Sequence, residues 1–190
     1  YEDSPSWIHP KLRVYHFHKD SSRLYFRIDA SELLFARENS DEEFSARVKV
    51  EYALKTELSS KRLISRDSLT VQKERKGGGK GFLIGQMPIR NVAQLDSGVL
   101  EVKVKDLNRK NWTKEIVRYD KVNKNSRQNF LVVHTESEKP YFRDFFPAGK
   151  EVRVKVGRYS QDELLARFYK RNFPLPPPPF AMDQVRSFDY

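Results

Sequence analysis

His16 and His18 stand two apart in a run of aromatic and branched residues. In an extended chain such side chains share a face about 7 Å apart, near enough to hold one metal ion with a third ligand. No cluster of His, Asp or Glu at ligand spacing accompanies them, so packing or hydrogen bonding on a strand is the preferred reading, and neither metal nor cofactor is expected. His9 and His134 are isolated. Nucleophilic chemistry lacks its usual marks: there is no G-x-S-x-G elbow and no serine with a locally paired base. The chain has no cysteine, which excludes a thiol nucleophile, a disulfide scaffold, a Cys-ligated zinc site and an iron–sulfur cluster. On these grounds the expectation is a protein that is not an enzyme.

Three other motifs have the form of binding sites. Gly77-Gly78-Gly79-Lys80-Gly81 superficially looks like a phosphate-cradling loop. The Walker pattern needs Ser or Thr after the Lys and a helix behind it, whereas Gly81 and a strand-like run follow, so a flexible hairpin connection is expected. Arg171-x-x-Pro174-x-x-Pro177 has the R-x-x-P-x-x-P form taken by ligands of SH3-type grooves. Its flanking Phe173, Leu175 and Phe180 favour a rigid internal strap over an exposed interaction motif. The third is electrostatic. Thirty-six Lys and Arg against 26 Asp and Glu give a net charge of +10. The densest basic run is Arg109, Lys110, Lys114, Arg118, Lys121, Lys124 and Arg127, opposed by Glu115 and Asp120. It reads as the solvated side of a sheet in preference to a polyanion contact, because a high pI says little about specific partners. Aromatic residues, 13% of the chain, mostly lie on the apolar side of alternating runs and belong to a core before any stacking role.

The elements that must position these residues repeat with period two. Leu12–His18 and Arg23–Asp29 predict two strands about the turn Lys19-Asp20-Ser21-Ser22. Residues 31–36 are too few for an independent helix. Phe44, Ala46, Val48, Val50, Tyr52 and Leu54 alternate with Ser45, Arg47, Lys49, Glu51 and Ala53, the pattern of a strand with one buried and one wet face. Leu63–Gln72 predicts a strand toward a sheet edge. Phe82–Ile89 predicts one whose Pro88 argues against a central position. Leu100, Val102 and Val104 predict another strand, with Thr113–Tyr119 as its hairpin partner.

Seven strands in about 110 residues, with turns every 8–15, predict an all-β sandwich rather than βαβ units. Leu95-Asp96-Ser97-Gly98-Val99-Leu100-Glu101-Val102 has the form of the corner before the penultimate strand of immunoglobulin-like domains, with Leu100 in the tyrosine slot and Val102 in the cysteine slot. The expected organisation is an irregular lead-in over 1–10, an immunoglobulin-like sandwich over 11–122 and a polar linker over 123–128. A smaller and incomplete β unit over 129–190 ends in the proline-rich strap. Within that unit Asn129–Thr135 and Lys150–Val156 alternate cleanly, while residues 160–171 fit strand or helix, with strand preferred. No apolar run approaches the 18 or so residues of a membrane span. A chain that begins at Tyr1 with no Met and no basic-then-apolar leader is expected to be a mature or trimmed product, and the unfinished second unit predicts a fragment of a longer protein.

Tyr15-His16-Phe17 followed by Ser22-Arg23-Leu24-Tyr25-Phe26-Arg27-Ile28, then Ser31-Glu32-Leu33-Leu34 and the late Phe173-Pro174…Pro178-Pro179-Phe180, resemble the region upstream of the signature in the GWxTD-domain family of bacterial cell-envelope proteins. The Gly-Trp-x-Thr-Asp signature itself is absent. The resemblance implies the periplasm or outer-membrane surface of a Gram-negative bacterium and brings no catalytic residues. The function expected is a non-catalytic envelope module for protein interaction or scaffolding, partnered by other envelope proteins or by domains of its own longer chain. The alternative is a basic β-sandwich that binds nucleic acid or another polyanion through the Arg109–Arg127 cluster.

Overall fold

Alternation along Ser45–Lys55 places Ala46, Val48, Val50, Tyr52 and Leu54 at 0–1% exposure and leaves the residues between them at intermediate exposure. This strand, β3, is central in the computed structural model, which describes residues 8–37, 39, 43–75, 81–93, 95–109, 111–143 and 149–157. All of these lie within one compact unit, residues 1–160; residues 161–190 form a second unit. The strap from Arg171 to Phe180, Lys110 and the glycine loop 76–80 lie outside the described residues.

The other strands are β1 (Lys11–His18), β2 (Ser21–Asp29), β4 (Leu63–Glu74), β5 (Phe82–Ile89), β6 (Ser97–Asp106), β7 (Trp112–Asp120), β8 (Leu131–His134) and β9 (Val152–Lys155). They form a three-stranded sheet in the order β1-β2-β5, a four-stranded sheet in the order β4-β3-β6-β7, and a ribbon of β8 with β9. All pairs are antiparallel. Among the described residues helical structure is limited to two three-residue turns, Ala30–Glu32 and Arg127–Asn129, and no helix is long and apolar enough to cross a membrane. The protein is an all-β sandwich.

One core fills the space between the two larger sheets. Leu24, Phe26, Ile28, Leu83, Met87 and Ile89 come from the first; the inward residues of β3, with Leu100, Val102, Val104 and Tyr119, come from the second. Each large apolar side chain buried this way contributes about 1.5–3 kcal/mol. Gly85 lies opposite Phe26 in the β2–β5 pair, and a Cβ at that position would stand 2.2 Å from Phe26 Cζ. The glycine therefore makes room for the ring. Both expected edge strands are at edges: β4 ends one sheet and β5, with Pro88, ends the other.

Several local expectations need correction. A register shift between His16 and His18 turns His16 inward at 0% exposure and leaves His18 in solvent, so the two do not share a face. Phe44 lies just outside β3 and is 40% exposed, not core. In β9 the valine face is not buried, and Val154 is 45% exposed. The polar 123–128 segment is tied to the sandwich. The Val122 and Asn123 amides donate to Asp120 Oδ1 at 3.1 Å, Asn129 Nδ2 donates to the Asn123 carbonyl at 2.9 Å, and the division between compact units falls later, at Ser160 and Gln161.

The β8–β9 ribbon has its own small cluster. Leu131 and Val133 pack on Tyr15, with Phe17 and Tyr25 alongside. A Cβ at Gly157 would collide with the Phe17 backbone, so the close approach of the ribbon's exit to β1 requires glycine. Burial pushes the Tyr15 phenol above its ordinary value, only partly offset by its hydrogen bond to the Gly157 backbone.

Candidate functional site

Cross-strand register assembles a basic field on the outer face of the four-stranded sheet. In one row across β4, β3, β6 and β7 stand Thr70, Lys49, Lys105 and Trp112. The next row holds Ser68, Glu51, Lys103 and Lys114, and the one after it Arg66, Ala53, Glu101 and Ile116. Neighbours within a row stand about 5 Å apart and rows are about 7 Å apart. Lys49 thus faces Lys105 and Lys103 faces Lys114, two like-charge pairs of a kind that destabilises a sheet.

Glu51 and Glu101 are the carboxylates of these rows. Lys49 Nζ lies 2.9 Å from Glu51 Oε1, while Lys114 and Lys55 converge on Glu101 Oε1 at 3.0 and 3.2 Å. The hydrogen bond from Lys49 holds the Glu51 carboxyl below its ordinary value against the opposing effect of burial, and Lys114 does most to hold Glu101 down. Lys103 Nζ sits 4.3 Å from the centre of the Trp112 ring, a cation–π contact worth about 0.5–1 kcal/mol at an exposed site. Trp112 is 57% exposed and Ile116 53%. A shallow depression of about 330 Å³ lies among Glu51, Arg66, Glu101, Lys103, Trp112 and Lys114.

The basic run read in the sequence does not map onto this field as a unit. Lys114 and Arg118 reach the outer face, where Arg118 lies 3.3 Å from Asp120 Oδ2. Lys121 is 2% exposed, and its Nζ donates to the carbonyls of Lys19, at 2.7 Å, and Val92. Arg109 lies in the turn after β6, its amide 3.4 Å from Asp106 Oδ1. Lys124 precedes the Arg127–Asn129 turn, and Arg127 opens it. In place of the missing members the sheet brings Lys49, Lys103, Lys105, Arg66 and Trp112 together. The alternation of Lys49, Lys103 and Lys105 with apolar residues was legible, but the placing of Arg66 and Trp112 and which strands lie side by side were not.

The second constellation is buried. His16 Nδ1 lies 2.7 Å from Ser22 Oγ, which lies 2.8 Å from the Tyr119 hydroxyl. His16 Nε2 lies 3.0 Å from Gln128 Oε1. The Gln128 amide group donates to the Arg118 carbonyl, so its oxygen accepts from both the Asp120 amide and His16 Nε2–H. In neutral imidazole that arrangement leaves Nδ1 as the acceptor of the Ser22 hydroxyl. His16 and Tyr119 are at 0% exposure and Ser22 at 2%, so the chain of hydrogen bonds joins β1, β2, β7 and the 121–129 connection beneath the surface. Among the described residues no group of three or more His, Asp or Glu is placed to hold a metal.

Comparison with protein-family models finds no match to this chain, and comparison with curated protein sequences finds none.

Proposed function

We propose that the protein is a non-catalytic interaction and scaffold module, immunoglobulin-like in architecture, within a longer cell-envelope protein. Its working surface is the outer face of the β4-β3-β6-β7 sheet. One observation carries the reading: a broad sheet face that combines exposed Trp112 and Ile116 with a field of ammonium groups. Exposed aromatic side chains within charged surroundings are the features that partners use as anchors. The Ser22–His16 contact, buried and with both ring nitrogens in hydrogen bonds, supports a structural role for this serine–histidine pair. The strand partition, 1-2-5 against 3-6-7, supports the immunoglobulin-like assignment, although the fourth strand here pairs with the third and in constant-type domains it joins the sheet of 1-2-5. The envelope setting rests on the GWxTD resemblance.

Site-specific crosslinking in cells tests this function. A photo-activatable residue at position Ile116 is expected to give a covalent adduct, discrete for a protein partner and polydisperse for a polymer, and one at Leu58, equally exposed but in the turn between β3 and β4, none. No adduct from Ile116, or the same adduct from both positions, would overturn the assignment of the face. Fractionation of the full-length protein checks the setting: recovery with cytosolic markers would remove the envelope from the proposal.

A further inference from the structure

We infer that the partner of this sheet face is an acidic polysaccharide, a chain of sugar rings bearing carboxylate or sulfate groups. The inference rests on the proposed function and adds the chemistry of what is bound. Three observations carry it.

Charge comes first. The three central rows bring Lys49, Lys103, Lys105, Lys114 and Arg66 together with only Glu51 and Glu101, and Lys105 has no ion pair among the described residues. The two like-charge pairs, Lys49 with Lys105 and Lys103 with Lys114, cost the sheet stability that a bound anion would return. Spacing comes second. The lysines leave the sheet from backbone positions about 5 Å apart across strands and about 7 Å apart along them, and so form a ladder of cations. That ladder suits a linear ligand with regularly repeated charges better than one compact anion. The depression on this face is shallow, which fits the same shape of ligand. Aromatic content comes third and chooses among polyanions. Single-stranded nucleic acid is held on platforms that stack successive bases, whereas the outer rows of this sheet offer one ring, Trp112, with Lys103 already placed against it. A single indole with one ammonium at its side fits one sugar ring, whose C–H face packs on the indole while its acidic group meets the lysine. The cations of the central rows are mostly lysines, which are point charges and do not demand the planar bidentate geometry of phosphate recognition by arginine.

The test uses the 190-residue chain with Trp7→Phe, so that Trp112 is the remaining indole. Titration with oligomers of uronic acid and with heparin oligosaccharides is expected to shift Trp112 emission. Affinity should drop by about tenfold or more between about 50 and 200 mM salt as counterions are released. Lys103→Glu with Lys105→Glu should lower affinity at least about tenfold, as three or more charge contacts imply. Lys19→Glu with Lys139→Glu, the same charge change away from the face, should leave it within twofold. Circular dichroism of each variant confirms that it is folded. Absence of binding by the folded protein at low salt overturns the inference, as does binding that survives reversal at Lys103 and Lys105. Tighter binding of a thymidine oligonucleotide than of either glycan would replace the polysaccharide with nucleic acid. If glycan binding fails while the Ile116 crosslink persists, the interaction module stands and its partner is of another class.

Discussion

The outer faces of the two large sheets begin from the same kind of sequence, cations alternating with buried apolar residues, and end in opposite conditions. On the β1-β2-β5 sheet the residues between the cations are aromatic. Tyr15 is 5% exposed beneath Leu131 and Val133, and the arginines lie on rings, Arg23 over Phe17 at 5.0 Å and Arg27 over Phe82 at 4.3 Å. On the β4-β3-β6-β7 sheet the neighbours of the cations are carboxylates, small residues and the exposed pair Trp112 and Ile116, with no strand laid across them among the described residues. The contrast teaches that cation-rich alternation does not by itself make an open surface. Guanidinium groups and tyrosines supply flat apolar area that a ribbon can cover, while lysine ammoniums keep their water and hold a face open.

The largest expected effect separates inside from outside on one strand of the open sheet. Val50→Asp should destabilise by about 3–5 kcal/mol, because it places an unpaired charge at 0% exposure, and Lys49→Asp should change stability by less than about 0.5 kcal/mol. Denaturant melts showing equal losses would invert the register of β3.

Next comes the comparison of the two outer faces. Tyr15→Ala should cost about 2–4 kcal/mol by emptying the cluster under the ribbon, and it should also speed amide exchange in β8 and β9. Ile116→Ala, on the open face, should lie within about 0.5 kcal/mol of the parent. A silent Tyr15→Ala would mean that the ribbon does not cover the first sheet in solution.

Smaller again is the interior link between the sheets. Ser22→Ala takes from His16 Nδ1 and the Tyr119 hydroxyl the partner they share, at a cost of about 1–3 kcal/mol. The ring resonances of His16 should move with it, and an unchanged melting curve would show that the buried chain is not formed.

The smallest effect belongs to the acids of the open face. Glu51 and Glu101 are held below the ordinary 4.5 by Lys49 and Lys114 respectively, so their contribution is complete above that pH and is lost as pH falls through their lowered values. Being near solvent, each pair should contribute less than about 1 kcal/mol. Lys49→Met with Lys114→Met should flatten the fall in stability below about pH 4.5, which is the ordinary value. An unaltered acid limb would place the acid sensitivity elsewhere.

Strand identity was legible because burial on one side of a sheet forces a period of two into the sequence, and that period is plainest where burial is most complete, in β3 and β6. Edge positions could be read for a related reason, since Pro88 cannot serve a central ladder. What the periodicity could not reveal was anything set by one added residue. The shift at Phe17 sends His16 and His18 to opposite environments, yet the spacing alone aligned them. Lys121 looked like part of a basic surface run, but it lies buried against the carbonyls of Lys19 and Val92, which follow β1 and β5 in the chain.

The candidate site divides in the same way. Each of Lys49, Lys103 and Lys105 was readable as the wet position of its own strand, because alternation is a local property of the chain, whereas Lys114, between Thr113 and Glu115, was readable only as part of a basic run. Only the tertiary structure decided that β3, β6 and β7 are neighbours in the register that sets Lys49 beside Lys105 and Lys103 beside Lys114. That decision comes from how two sheets share one core, a long-range balance of packing that no short stretch of the sequence contains.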